Sequence, residues 1–305
     1  MLAAAARIIG GMAADCSRRT WLAAATVGLL GARIGRTQPL ADARDVAAAP
    51  PAQQRAWVRD RLEALGRPRW LLLGEQHDAD AHQALQAAVV QVLAEQGRLA
   101  ALVLEMAERG VDTRGLAPDA TEATAQAALQ WNDRGWPWRR YGPVVMAAVR
   151  AGVPVVGGNL PRAAQREVMG QSHWDTLLPP PAYDTLLRAI DEGHCGQLPR
   201  SQWGPMARIQ LARDDAMAAT LLDEGRDGAT VVLVAGQQHV RRDRGVPFHL
   251  RRHAPDRAGA LHSVAFVSAG EAPATPHEMS TDGVWLTPAT PPVDHCAAFR
   301  GRAPS

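Results

Sequence analysis

Two segments of this 305-residue chain repeat one short pattern, Gly74-Glu75-Gln76-His77 and Gly236-Gln237-Gln238-His239. Each follows an apolar run, Trp70 to Leu73 and Thr230 to Val234. Two further runs also end in polar residues. Ala101 to Leu104 leads into Glu105-Met106, and Val153 to Val156 leads through Gly157-Gly158 to Asn159. Two imidazoles and two carboxylates can hold a divalent cation such as zinc or manganese and leave a position for water. Without a metal, Glu75, His77, Glu105 and His239 can do acid–base work as a hydrolase does, a carboxylate tuning a histidine. His77 can also ligate a haem iron or support another group that does. A single histidine after a strand is more often structural. Two matched turns with Glu105 after a third run favour a functional site.

Other segments carry candidate site residues. Gln210, Asp214 and Met217 share one face of a helical pattern, with Arg213 beside them; that face is either a site wall or a polar stripe beside the core. Trp136-Pro137-Trp138-Arg139-Arg140-Tyr141 combines aromatics with arginines. It suits a flat apolar ligand bearing carboxylates, because arginine pairs with carboxylate and aromatics stack; core packing is the other reading. His194-Cys195, after Gly193, reads as a pocket element or an exposed loop.

Apolar runs alternate with helical patterns, the mark of an α/β domain whose mostly parallel sheet is covered by helices on both faces. The strands read as 70–73, 101–104, 153–156, 230–234 and 261–267, with Pro154 placing the third at an edge or a strand start. Helical patterns cover 53–65, 79–95, 121–131, 144–150, 183–190 and 205–222. In such a sheet the carboxyl ends of the strands share one rim where ligands bind, so Glu75, His77, Glu105, Asn159 and His239 should converge.

The ends of the chain read differently. Arg18-Arg19 precede a short apolar run, Leu22 to Leu30, which resembles a twin-arginine export signal over residues 1–38. A linker is expected over 39–52, a single domain over 53–270 and a proline-rich tail over 271–305, with a candidate strand at Gly283 to Leu286. If the leader carries Cys16 away, Cys195 and Cys296 are the one internal pair open to a disulfide in an oxidising compartment. Asp15 before Cys16 makes a poor lipoprotein signal. A formal net charge of +2 points away from nucleic acid, and the absence of lysine excludes Schiff-base and P-loop lysine chemistry.

The chain resembles the ChaN-like haem-binding uptake proteins of the Tiki/erythromycin-esterase superfamily. The resemblance rests on Leu73 to Asp78 with His82, Leu104-Glu105-Met106, Trp136 to Tyr141, Gly158 to Arg162, Gly193-His194-Cys195, Gln210 to Ala218, Val234 to Val240 and Gly245-Val246-Pro247, in that order. It implies a periplasmic haem-binding protein for iron uptake, a homodimer with haem at its interface and an envelope haem transporter as partner. It also implies iron ligation by a tyrosine assisted by a histidine. Tyr141 is the candidate ligand to haem iron, with His77 in support. Arg139, Arg140 and Arg162 are the candidates for the propionates, and Asn159, His194, Gln210 and Asp214 complete the expected cofactor site. The same resemblance admits a hydrolase, since paired G-x-x-H motifs serve hydrolases in the superfamily.

Overall fold

A computed structural model of the chain describes residues 49–271 and 275–297. The twin arginines, the apolar run after them and Cys16 lie outside the described residues. The elements run α1 (Pro51–Ala64), β1 (Trp70–Glu75), α2 (Asp80–Glu95), β2 (Leu99–Glu108), α3 (Glu122–Ala128), α4 (Trp138–Arg150), β3 (Val155–Asn159) and α5 (Arg162–Met169). They continue with α6 (Pro180–Gly193), α7 (Arg200–Glu224), β4 (Thr230–Gly236), α8 (Val246–His253), β5 (Leu261–Ser268), α9 (Pro276–Met279) and β6 (Gly283–Thr287). Among the described residues no helix is long and apolar enough to cross a membrane.

The six strands form one sheet in the order β3-β2-β4-β1-β5-β6, and every pair is parallel. Strands buried on both faces need apolar side chains at successive positions, which is why β1, β2 and β4 read as unbroken apolar runs. Alternate residues enter opposite layers. Leu71, Leu73, Leu102, Leu104, Val232 and Val234 face a layer built from α1, α2 and α4, while Leu72, Val103, Val231, Leu233 and Ala235 face Met217 and Leu221 of α7 and Leu250 of α8. The helices are thus on both faces, as the sequence pattern implies.

The sequence places several boundaries differently. Helix α4 begins at Trp138, six residues before its apolar periodicity becomes clear, and carries Pro143 within its first two turns. Helices α5 and α8 are each eight residues long and too short to announce themselves by periodicity. Pro154 stands immediately before β3, an edge strand. The folded unit runs past residue 270, because β6 pairs with β5 over Val264 to Ser268 and stacks Trp285 on Phe266 at 5.2 Å between ring centroids. Cys195 and Cys296 are joined in a disulfide, with their Cα atoms 5.7 Å apart.

Candidate ligand site at the strand rim

The chain moves from β1 out to β2 and β3, returns to insert β4 between β2 and β1, then continues outward through β5 and β6. This reversal leaves a crevice at the carboxyl ends of β1, β2 and β4, the usual ligand position in an open parallel sheet. Glu75 and Gly236 lie in register across β1 and β4, and Glu105 follows Leu104, which is in register with Val234. Both turn glycines leave space that a side chain would crowd. A Cβ on Gly74 would fall 2.3 Å from Val240 Cγ2, and one on Gly236 would fall 3.0 Å from His77 Nε2. The bare Gly236 backbone therefore makes room for the His77 ring.

The turn after β1 is clamped from outside. The backbone N–H of Gln76 donates to His82 Nδ1 at 3.0 Å, so His82 carries its proton on Nε2 and donates to Thr287 Oγ1 at 2.9 Å. Burial pushes the His82 pKa down to about 4, which keeps it neutral in this role. Ser268 donates to Gln76 Oε1 at 2.6 Å, tying the same turn to β5.

Two polar groups meet at the rim. The first centres on Glu75. Tyr141 Oη donates to Glu75 Oε1 at 2.6 Å, His77 Nδ1 lies 2.9 Å from the same oxygen, and Gln83 Nε2 donates to Oε2 at 2.9 Å. A carboxylate accepts, so His77 holds a proton on Nδ1 toward Glu75, and its Nε2 lies over Gly236. The His77 side chain is 41% exposed and meets Trp136 edge-on at 4.8 Å. Burial lowers the His77 pKa, but the hydrogen bond to Glu75 and the charges of Glu105 and Glu75 outweigh it, for a net rise.

The second group centres on Glu105. Its Oε1 accepts from Arg213 Nη2 at 2.5 Å and lies 3.2 Å from His239 Nε2, while Oε2 accepts from the Gly236 N–H at 2.7 Å. His239 Nδ1 is 2.6 Å from Asp214 Oδ1, and the Gln210 amide lies 3.1 Å from the same nitrogen. With a carboxylate at each ring nitrogen, His239 is an imidazolium. Burial opposes its charge, yet Glu105 and Asp214 raise its pKa to about 9. Burial likewise opposes ionisation of Glu105, but the charge and hydrogen bond of His239, with the charges of His77 and Arg213, together hold that carboxyl well below its ordinary range. Arg213 Nε also donates to Asn159 Oδ1 at 2.9 Å, and Asn159 Nδ2 to Glu105 O at 2.7 Å.

Glu75, His77, Glu105, Asn159 and His239 converge as the strand order requires, and Gln210 and Asp214 join them through His239. His194 does not. It ends α6, with Nδ1 2.7 Å from Ile190 O, beside the disulfide. The zinc or manganese arrangement finds no counterpart: among the described residues no group of three or more His, Cys, Asp and Glu is placed to hold a metal ion, and His239 offers no lone pair. Tyr141, the candidate iron ligand, stands in the same cluster. It is fully buried, packs against Trp131 and Trp136, and gives its proton to Glu75. Burial and the charge of Glu75 push its ionisation far up, so here it is a phenol supporting Glu75.

Two cavities adjoin at Trp136. One, of about 690 Å³, has apolar walls from Met106, Ala107, Val111, Leu129 and Leu160 and polar edges from Asn159, Arg162 and Arg213. The other, of about 400 Å³, is lined by His77, Trp136, Arg140 and His295. Arg140 donates to Asp80 Oδ1 at 2.6 Å and to His77 O at 3.3 Å, which holds the histidine backbone. Gln83 and His295 went unnoticed in the sequence. Gln83 could have been found by its helical spacing from Asp80 on the face behind β1, but nothing local marks His295.

The class of protein so defined is an open parallel α/β domain with one polar site at its topological reversal. A profile described as haem-binding uptake, Tiki superfamily, ChaN matches residues 61–250, and the chain belongs to that family. Among solved structures it is similar to one described as cofacial heme binding to ChaN of Campylobacter jejuni, with a TM-score of 0.55 and 20% identity over 73% of this chain and 88% of that one. A type III effector (TM-score 0.45, 12% identity, 80% and 95% covered) and a Bacillus cereus protein (0.42, 12%, 75% and 72%) are more distant in shape. At these identities the likeness concerns the fold. No curated protein matches the sequence significantly.

Proposed function

We propose that this chain binds haem at the strand rim and serves iron uptake in the cell envelope. The observation that carries this is the Glu75–His77 pair, 2.9 Å apart, whose half-exposed imidazole lines a cavity beside Trp136. The rest of the donor set fits the group. The adjoining apolar walls suit a porphyrin face, and Arg162, which makes no ion pair among the described residues, is a cation for a propionate. Haem would supply a Lewis-acidic iron with an open coordination position. Glu75 fixes the His77 tautomer, as partners of metal-binding histidines do, and Tyr141 and Gln83 hold Glu75 in place.

The uptake role, a periplasmic address and a homodimer with haem at its interface belong to the same proposal. Family membership supports them, together with Arg18-Arg19 in the sequence and a disulfide of the kind kept in oxidising compartments. An envelope haem transporter is the partner that role requires.

Titration with haemin is the test. The expected outcome is a saturable Soret shift, weakened about tenfold or more in His77→Ala, equivalent to roughly 1.4 kcal/mol. Tyr141→Phe should keep the spectrum of the complex and lose only part of the affinity. No shift at micromolar protein defeats the proposal; a ligand spectrum lost in Tyr141→Phe but kept in His77→Ala would make the tyrosine the iron ligand.

One observation favours a second reading. Glu75 and His77 at 2.9 Å also form a metal-free acid–base pair, the partnership a hydrolase needs. Ester or peptide hydrolysis abolished by His77→Ala would establish it, and no turnover across a broad panel would remove it.

A further inference from the structure

The chain does not end at the last strand. From Thr287 at the edge of the sheet, residues 288–296 run back to the site rim and on to the junction of α6 and α7. Pro288, Pro291 and Pro292 stiffen this segment by fixing their own φ angles and removing three N–H donors. It is held at three places. Thr290 Oγ1 lies 2.7 Å from Ser268 Oγ at the end of β5. His295 Nε2 lies 3.0 Å from Asp78 Oδ2, one residue beyond His77. Cys296 is bonded to Cys195, which adopts a left-handed backbone conformation (φ 59°) uncommon for a residue other than glycine. His295 also contributes to the cavity lined by His77, Trp136 and Arg140.

We infer that residues 288–296 form a disulfide-latched strap that closes this cavity and presents the His295 imidazole to the bound ligand. The inference rests on the haem reading of the same site. Asp78 takes Nε2 of His295, which leaves Nδ1 as the ring atom available to a ligand. The His295–Asp78 anchor is weak. His295 is 68% exposed, and a single exposed charge pair contributes little. At this end of the segment the covalent bond therefore does most of the holding. It keeps His295 at the cavity with a high effective concentration that a free tail would not have. A dithiol reductant opens the latch by two exchanges. Its first thiolate attacks one sulfur and releases the other as a thiolate; its second displaces the remaining cysteine. Two electrons and two protons pass to Cys195 and Cys296, and the dithiol leaves as a cyclic disulfide.

The experiment compares the oxidised wild type, the dithiol-reduced wild type, C195S/C296S and His295→Ala. Far-UV circular dichroism establishes that each is folded. Haemin affinity and the rate at which diethyl pyrocarbonate modifies His77, read by peptide mass spectrometry, are the two measurements. The expected result is haemin binding about tenfold weaker in all three altered forms. Faster His77 modification is expected wherever the disulfide is open. Equal haemin affinity and equal modification in all four forms overturn the strap and leave the haem reading standing. If oxidised wild type binds no haemin, the haem reading fails and takes the ligand role of His295 with it. The modification rates in ligand-free protein then decide closure alone: faster modification in C195S/C296S retains the strap, and an unchanged rate removes it.

Discussion

At the scale of single residues, the two G-x-x-H histidines have parted roles. His77 has one nitrogen committed and one open; His239 has both committed, to Asp214 and Glu105. The sequence displays them as equivalents, since each stands three residues after a glycine that follows an apolar run. What separates them is long-range. Asp214 comes from α7 and Glu105 from β2, and neither position follows from the turn itself. His239 should leave a mark on stability against pH. Its pKa rises from 6.5 to about 9 on folding, so its contribution is complete below pH 6.5 and is lost as pH climbs through about 9. Glu105, lowered by the same ion pair, contributes above pH 4.5 and loses its contribution in acid. The cluster therefore stabilises the fold most between those limits. Urea midpoints should fall between pH 6 and pH 10 by the equivalent of about 2–3 kcal/mol. In His239→Gln the protein should be less stable at pH 6 and this drop should largely vanish; an unchanged pH profile would show that His239 is not the imidazolium described.

At the scale of elements, the strands that build the site were the legible part. A strand buried on both faces must be apolar throughout, so β1, β2, β4 and β5 stand out from a single sequence, and their carboxyl ends locate Glu75, Glu105 and the His239 turn. Elements with mixed surroundings were not legible. Helix α4 hides its start behind Pro137, Gly142 and Pro143, and α5 shows four polar positions in eight with one buried residue, Val168. β6 presents a different problem, because its proline-rich flanks resemble a tail. Its removal should be costly. Trp285 stacks on Phe266 and meets Trp57 edge-on at 4.9 Å, and Thr287 holds the His82 clamp. A chain ending at residue 270 should be insoluble, or should melt well below the full-length protein by calorimetry, since it loses a buried tryptophan worth about 3–5 kcal/mol. Equal melting temperatures would show that β6 is dispensable.

At the scale of the whole molecule, one sheet orders two unlike surfaces. The layer behind Tyr141 is rich in aromatics and supports Glu75, while α7 supplies the charged partners Arg213 and Asp214. The site lies where these layers meet. Local patterning showed that rim. It could not show His295, which reaches Asp78 across 217 positions; the cysteine count, by contrast, already named Cys195 and Cys296 as the one internal pair. The disulfide also changes what the chain is as a topological object. It closes a ring of sequence from Cys195 to Cys296 that includes α7, β4, α8, β5 and β6, with Arg213, Asp214 and His239 inside it and Glu75, His77 and Glu105 outside. A protease that cuts once anywhere within that ring leaves a single covalent molecule, with both halves of the site still tied to each other.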